Sequence, residues 1–206
     1  MARKTDPTDR IVDATLALIA EQGWRAAQPE AIAARAGADL ATVYRVTGGR
    51  LGVLEALIRR VDLAMLEGAQ PDPQETSHDR LFDALMRRFD ALAPYKPAIL
   101  VLARDWRTRP LVALANAPAV LRSMRWALAA AGIPTDGIRG AMLVQGLALA
   151  YAAAMRVWLD DDSPDLGRTM AALDRSLRRL ERLTPMLRTR SSDGRAPRED
   201  GAEASA

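Results

Sequence analysis

The chain of 206 residues has no cysteine and a single histidine, His78. The first absence excludes disulfides, thiolate nucleophiles and thiolate-bound metals, and is in keeping with a reducing cytoplasm. The second excludes most nucleophilic triads and histidine-based metal centres. His78 itself falls in a polar, linker-like stretch, where a solvent-exposed side chain is expected. No long apolar run is present either. Residues 141–155 form the longest, short of the ~20 needed to cross a bilayer and interrupted by Gln145. The opening MARKTDPTDR lacks the apolar core of a secretory signal. No period-two alternation and no internal repeat can be found, which leaves an all-α protein in the cytoplasm as the expectation.

Charge of one sign is scarce. The formal net charge is +3, and residues 1–67 balance nine Lys and Arg against nine Asp and Glu. Residues 168–190 instead hold seven arginines against Asp174 and Glu181. Asp160, Asp161 and Asp162 are adjacent carboxylates at a helix end, ordinarily a solvated group rather than a cation site. Gly48-Gly49-Arg50 is too short for a phosphate-binding loop. We therefore expect no catalytic residue, no metal and no cofactor. At 49% hydrophobic and 27% charged residues, the chain can still bury a sizeable core in one or two packed units.

The pattern that is present is helical throughout. Thr8 or Asp9 can cap a first helix running to Gln22, stopped by Gly23. Residues 29–50, PEAIAARAGADLATVYRVTGGR, hold two short apolar faces meeting at a tight turn. Ile32, Ala33 and Ala36 form one, and Leu40, Val43 and Tyr44 the other. Gly37 supplies positive φ between them, Pro29 opens the first helix, and Asp39 can cap the second. Two helices of about two turns with a Gly-containing turn make a helix-turn-helix unit, whose second helix lies in the DNA major groove. Residues 1–49 are thus a DNA-binding head, and 50–67 a connecting helix. Residues 68–78 read as a linker, 79–187 as a larger helical ligand-binding and dimerisation domain, and 188–206 as a disordered tail.

Within that larger domain, residues 138–159 are apolar almost all round, which implies burial on more than one side. Ser163 and Pro164 read as the start of the last helix. Its residues Leu166, Met170, Leu173, Leu177 and Leu180 step by four and three, a seam suited to a homodimer interface. Phe82, Met86, Phe89, Trp106, Met124, Trp126, Tyr151 and Met155 can line an apolar ligand pocket or serve as ordinary core. With no charge evident among them, the ligand would be apolar.

Ile11, Ala14, Leu18, Gly23, Trp24, Ile32-Ala33, Ala36-Gly37 and Thr42-Val43-Tyr44-Arg45 together resemble the DNA-binding domain of the tetracycline-repressor (TetR) family. The resemblance implies an all-α, TetR-like homodimer that binds a double-stranded DNA operator and is released by a small apolar ligand. Thr42, Tyr44 and Arg45 would then contact phosphate or base edges. Gln28 stands where the family has a capping threonine, and Arg50 where it has a phosphate-binding lysine. The two heads would sit about one DNA turn, ~34 Å, or a multiple of it, apart. Residues 151–179 also resemble the end of the TetR-fold accessory proteins of ubiquinone biosynthesis, which bind isoprenoid lipid. That alternative implies a basic, leucine-bearing last helix resting on a membrane surface, and a head that no longer binds DNA.

Overall fold

The computed structural model describes residues 6–67, 74–108 and 115–183, and at residues 50 and 106–108 the backbone alone. Nine α-helices are formed among them: α1 (Pro7–Gln22), α2 (Pro29–Ala36), α3 (Leu40–Thr47), α4 (Arg50–Glu67), α5 (Ser77–Leu92), α6 (Lys96–Thr108), α7 (Ala117–Ala130), α8 (Gly137–Leu159) and α9 (Gly167–Leu183). Short 3-10 turns at Trp24–Ala26 and Ala93–Tyr95 complete the order, and the described residues contain no strand. Residues 1–5, 68–73 of the expected linker, 109–114 and 184–187 of the expected larger domain, and the whole expected tail, 188–206, lie outside the described residues.

Helix α1 is the hub of the head. It buries Ile11, Val12, Leu16, Leu18 and Ile19 against α2, α4 and α6. Removing each such side chain from water contributes about 1.5–3 kcal/mol. Its cap is Asp6, not Thr8 or Asp9: Asp6 Oδ1 accepts from Thr8 N at 2.8 Å, and Pro7 takes the first helical position. Proline there loses no hydrogen bond, so the helix starts earlier than its apolar pattern does.

Helix α4 leaves the head and enters the body. It packs on α1 and α3 at one end and on α5 and α7 at the other. Arg60 fastens it, with Nη1 donating to Asp13 Oδ1 (2.5 Å) and Tyr95 Oη (2.7 Å), and Nη2 to Asp9 Oδ1 (2.7 Å). Burial disfavours the Arg60 charge, but Asp13 and Tyr95 outweigh that and hold its pKa above the ordinary value. Helix α5 begins at Ser77, two residues before the expected start, because Thr76 caps it through Asp79 N (3.2 Å). His78 is consequently helical and only 17% exposed at its side chain. Its Nδ1 lies 2.6 Å from Glu181 Oε1 and its Nε2 3.1 Å from Asp174 Oδ1, both on α9. The expected free linker residue is instead a clasp between α5 and α9.

Helices α8 and α9 form the most extensive pairing among the described residues. Leu173, Leu177 and Leu180 face α8 and are buried within the chain. This corrects their assignment to a dimer interface, because a side chain already enclosed by its own protomer has no surface to offer. Leu166 is half-buried and takes φ 50°, whereas Met170 remains 40% exposed. The seam was real, but its partner is the preceding helix. Ser163 and Pro164 precede α9, which begins at Gly167. Asp161 supplies the capping acceptor, with Oδ2 receiving Thr169 N (2.8 Å) and Thr169 Oγ1 (2.7 Å), and Oδ1 receiving Ser163 Oγ (2.5 Å). Far from being solvated, Asp161 is 1% exposed.

Helix α8 has 23 residues and is by length and composition long enough to cross a membrane, unlike the shorter run apparent in the sequence. It is wrapped on one side only, by α6, α7 and α9. Ile138 (82% exposed), Met142 (67%) and Leu149 (74%) line the other side. The expectation of burial on more than one side is therefore not met within one chain.

Candidate nucleic-acid interface

The helix-turn-helix is set by two local devices. Gly37 closes α2 with φ 60° and ψ 42°, the left-handed conformation that costs glycine least, and Ala38 N bonds back to Ala33 O at 3.0 Å. Asp39 then caps α3, its Oδ1 accepting from Thr42 N at 2.6 Å. The Thr42 side chain and then its backbone N–H hold the Asp39 carboxyl below its usual range. Its charge thus faces the helix N-terminus, where a carboxylate is favoured.

Only Val43 of α3 is buried; it pins the helix to the head's core beside Ile32 and Ala33. The rest of α3 points outward. Tyr44 is 73% exposed and Leu40 50%, and Arg45 is exposed beside them. Arg45 is steadied by its own helix, with Nη2 donating to Thr42 Oγ1 (2.9 Å) and Nε to Ala41 O (3.3 Å). Thr42 is half-buried, its hydroxyl committed to that contact. Gln28 is exposed at the start of α2 and caps nothing; its Nε2 donates to Arg25 O at 3.0 Å. The side chain of Arg50 lies outside the described residues.

Several charges of the head are paired. Arg60 occupies Asp9 and Asp13, Arg35 occupies Glu21, Arg122 occupies Glu55, and Arg88 occupies Asp62. Arg10, Arg25 and Arg45 are exposed, with no ion-pair partner among the described residues. Of these acids only Asp62 is enclosed, and Asp6, Glu30, Asp39 and Glu67 are likewise exposed with no ion-pair partner among the described residues.

Gly52 was missed by sequence reasoning. A Cβ there would run into the Thr47 carbonyl oxygen and lie 2.6 Å from the Thr47 carbonyl carbon. Its absence lets α4 start directly over the end of α3. The turn between them uses Gly48 at φ 60° and Gly49 at φ 136°.

The residues expected to line a ligand pocket do not gather round one space. Phe89, Met124 and Tyr151 are buried core, with the Phe89 and Tyr151 rings stacked at 5.1 Å. Trp126 is 51% exposed, which removes it from any interior lining; it lies two residues from the buried Met124, on the opposite side of α7. Met86 and Met155 are half-buried against the core, and the Trp106 side chain lies outside the described residues. Phe82 alone of the set borders a described cleft, of about 340 Å³, between the start of α5 and α9. His78, Met170, Asp174 and Arg178 also line it. Nor is the interior free of charge: Arg88 and Asp62 are buried and paired, and Ser123 Oγ donates to Asp62 Oδ1 at 2.5 Å. Nothing in the spacing of α4, α5 and α7 announced that meeting.

Residues 11–57 match the family model described as bacterial regulatory proteins, tetR family. No curated protein sequence matches the chain. Among solved structures, a TetR transcriptional regulator from Nitrosomonas europaea ATCC 19718 is similar at a TM-score of 0.66 and 22% identity, covering 84% of this chain and 96% of that one. A TetR transcriptional regulator from Rhodococcus sp. RHA1 is similar at 0.62 and 19%, covering 84% and 94%. A further transcriptional regulator from the same source gives 0.55 and 22%, covering 86% and 97%. The match lies over the helices that present Tyr44 and Arg45, and the likeness in fold to the first two structures covers 84% of the chain. The head thus matches the tetR family model over residues 11–57, and the fold is the one seen in these TetR transcriptional regulators.

Proposed function

We propose that the protein is a homodimeric, cytoplasmic repressor that binds a double-stranded DNA operator through α3 and is released by a small, largely apolar ligand. The observation that carries the DNA reading is the outward face of α3, where Tyr44 and Arg45 are exposed on a helix fixed by Asp39 and Val43. Tyr44 and Arg45 reach phosphate or base edges, Arg25 and Arg10 add positive charge nearby, and Arg50 and the α4 N-terminus hold backbone phosphate. Thr42 serves mainly by orienting Arg45, and Gln28 contacts the backbone at the start of α2.

The bare apolar side of α8 supports the dimer. Ile138, Met142 and Leu149 lie on one helical face, and a run of this kind left in water favours association with a second copy. The membrane-surface alternative has less to stand on. Leu173, Leu177 and Leu180 are turned inward, so the apolar stripe of α9 is not available to lie on lipid.

Binding to genomic DNA fragments, titrated with salt, tests the proposal. The wild-type protein should retain specific fragments with an affinity that falls steeply as salt rises. Arg45→Ala should weaken binding by about 1–3 kcal/mol if the side chain reads a base, or flatten the salt slope by about one if it meets phosphate. Unchanged binding in Arg45→Ala and Tyr44→Ala together would remove α3 as the contact surface.

A further inference from the structure

Helix α3 turns its side chains in three directions, and Val43 sets which is which. Val43 is 3% exposed and faces the head's core. At about 3.6 residues per turn, Ala41 and Arg45 lie about 160° from it, on the outermost line of the helix. Both are exposed. Thr42 and Tyr44 lie about 100° from it, one on each flank. In a helix laid in the major groove, the outermost line meets the base edges on the floor and the flanks meet the phosphate walls. Of the two residues on that line, Arg45 alone has a polar side chain, and Ala41 is too small to hold the helix off the floor.

The Arg45 guanidinium is also held still. Its Nε donates to Ala41 O (3.3 Å) and its Nη2 to Thr42 Oγ1 (2.9 Å). Those two hydrogens share one edge of the guanidinium plane. Of its five N–H donors three remain, both on Nη1 and the second on Nη2. The end of the plane therefore keeps Nη1–H and Nη2–H side by side for a partner. Thr42 is half-buried and its backbone N–H bonds to Asp39 Oδ1 at 2.6 Å, so the hydroxyl that steadies Arg45 is itself fixed.

Two parallel donors call for two adjacent acceptors. In the major groove only guanine offers them, O6 beside N7. Adenine sets an amino donor beside its N7, cytosine shows an amino group, and thymine has one carbonyl next to a methyl. A phosphate also accepts two N–H bonds, but it lies on the wall, toward the flanks that carry Tyr44 and Thr42.

We propose that Arg45 reads one guanine in each operator half-site through Nη1 and Nη2, and that Thr42 is a positioning residue that fixes the plane of its guanidinium. The inference rests on the DNA reading above and names the base which that reading leaves open. In a twofold dimer the two guanines are related by the symmetry of the operator.

Selection from a random-sequence duplex library on the full-length protein tests it. The wild type should enrich a twofold motif with guanine at one fixed position of each half-site. Arg45→Ala should lose the preference at that position, by about tenfold or more, and keep the preferences elsewhere. Thr42→Val, which keeps the branched shape and the backbone bond to Asp39, should reduce the same preference by about threefold or more. Replacing that guanine by 7-deazaguanine removes the N7 acceptor but not the pairing with cytosine. It should weaken wild-type binding by about tenfold and leave Arg45→Ala unaffected. This arm alters the DNA alone, so it decides the matter even where a variant folds poorly. A uniform loss of affinity in Arg45→Ala, with every base preference retained, would make the residue a phosphate contact and overturn the inference while the regulator stands. Relaxation at a position that the wild type fills with another base would overturn it too. An intact guanine preference in Thr42→Val would overturn the positioning role. Failure of the wild type to enrich any sequence would remove the operator reading itself, and this inference with it.

Discussion

Gly52→Ala is a one-methyl change with a sharp expectation. Gly52 is the third residue of α4, and alanine should on local grounds stabilise a helix there by about 0.5–1 kcal/mol. The added carbon, however, would overlap the Thr47 carbonyl oxygen and lie 2.6 Å from its carbon and 3.2 Å from its Cα. These are backbone atoms, and Thr47 cannot swing aside. Its Oγ1 donates to Val43 O (2.8 Å) and accepts from Gly49 N (3.2 Å). Overpacking costs about 1–3 kcal/mol, and sits at the upper end where no rotamer can relax. A net loss of about 1–2 kcal/mol should follow, or roughly 2–8 °C in Tm. Operator affinity should fall by about tenfold or more, since α3 can accommodate the methyl only by tilting away from α4.

Gly146→Ala is the matched control. There the new carbon meets Leu180 Cδ1 at 2.5 Å, the tip of a rotatable side chain, with the next Leu180 atoms at 3.8 Å and beyond. Leu180 can yield by a small rotation, and the helix gains from alanine, so stability should change by less than about 1 kcal/mol. Thermal melts and fluorescence-anisotropy DNA binding on both variants decide the matter. Equal stability and equal DNA affinity in the two would refute the claim that α4 is seated on the carbonyl of Thr47.

Arg88→Met should destabilise the body by about 3–5 kcal/mol in urea unfolding, because it strands Asp62 in the core; adding Asp62→Leu should recover most of that. Asp161 is held well below its ordinary pKa of 3.8 by hydrogen bonds from Ser163 and Thr169. Its stabilising contribution is therefore full above that value and lost as pH falls through the lower, folded one. Asp161→Asn should lower stability at neutral pH and flatten the loss below about pH 4, read as Tm against pH. Met142→Glu with Leu149→Glu should shift sedimentation to the monomer and weaken operator binding by about tenfold or more, with the circular dichroism spectrum unchanged.

Local chemistry was legible residue by residue. Pro29, Gly37 and Asp39 fix the ends of α2 and α3 through their own backbone preferences and a cap three residues long, so any reader of that stretch can place the turn. Helical periodicity likewise located α4 and the leucine seam of α9. Periodicity names a face but not what covers it: Leu173, Leu177 and Leu180 pair with α8 of the same chain, and the apolar surface left over is on α8 instead. Asp161 looked solvated because its donors, Ser163 and Thr169, come together only when the chain bends there. His78, Arg88 and Asp62 owe their settings to partners 26 to 103 residues away. Sequence spacing decides which residues share a helix; only the packing of one helix on another decides which charges are enclosed, which methyl groups have no room, and which side of the molecule is left for a partner.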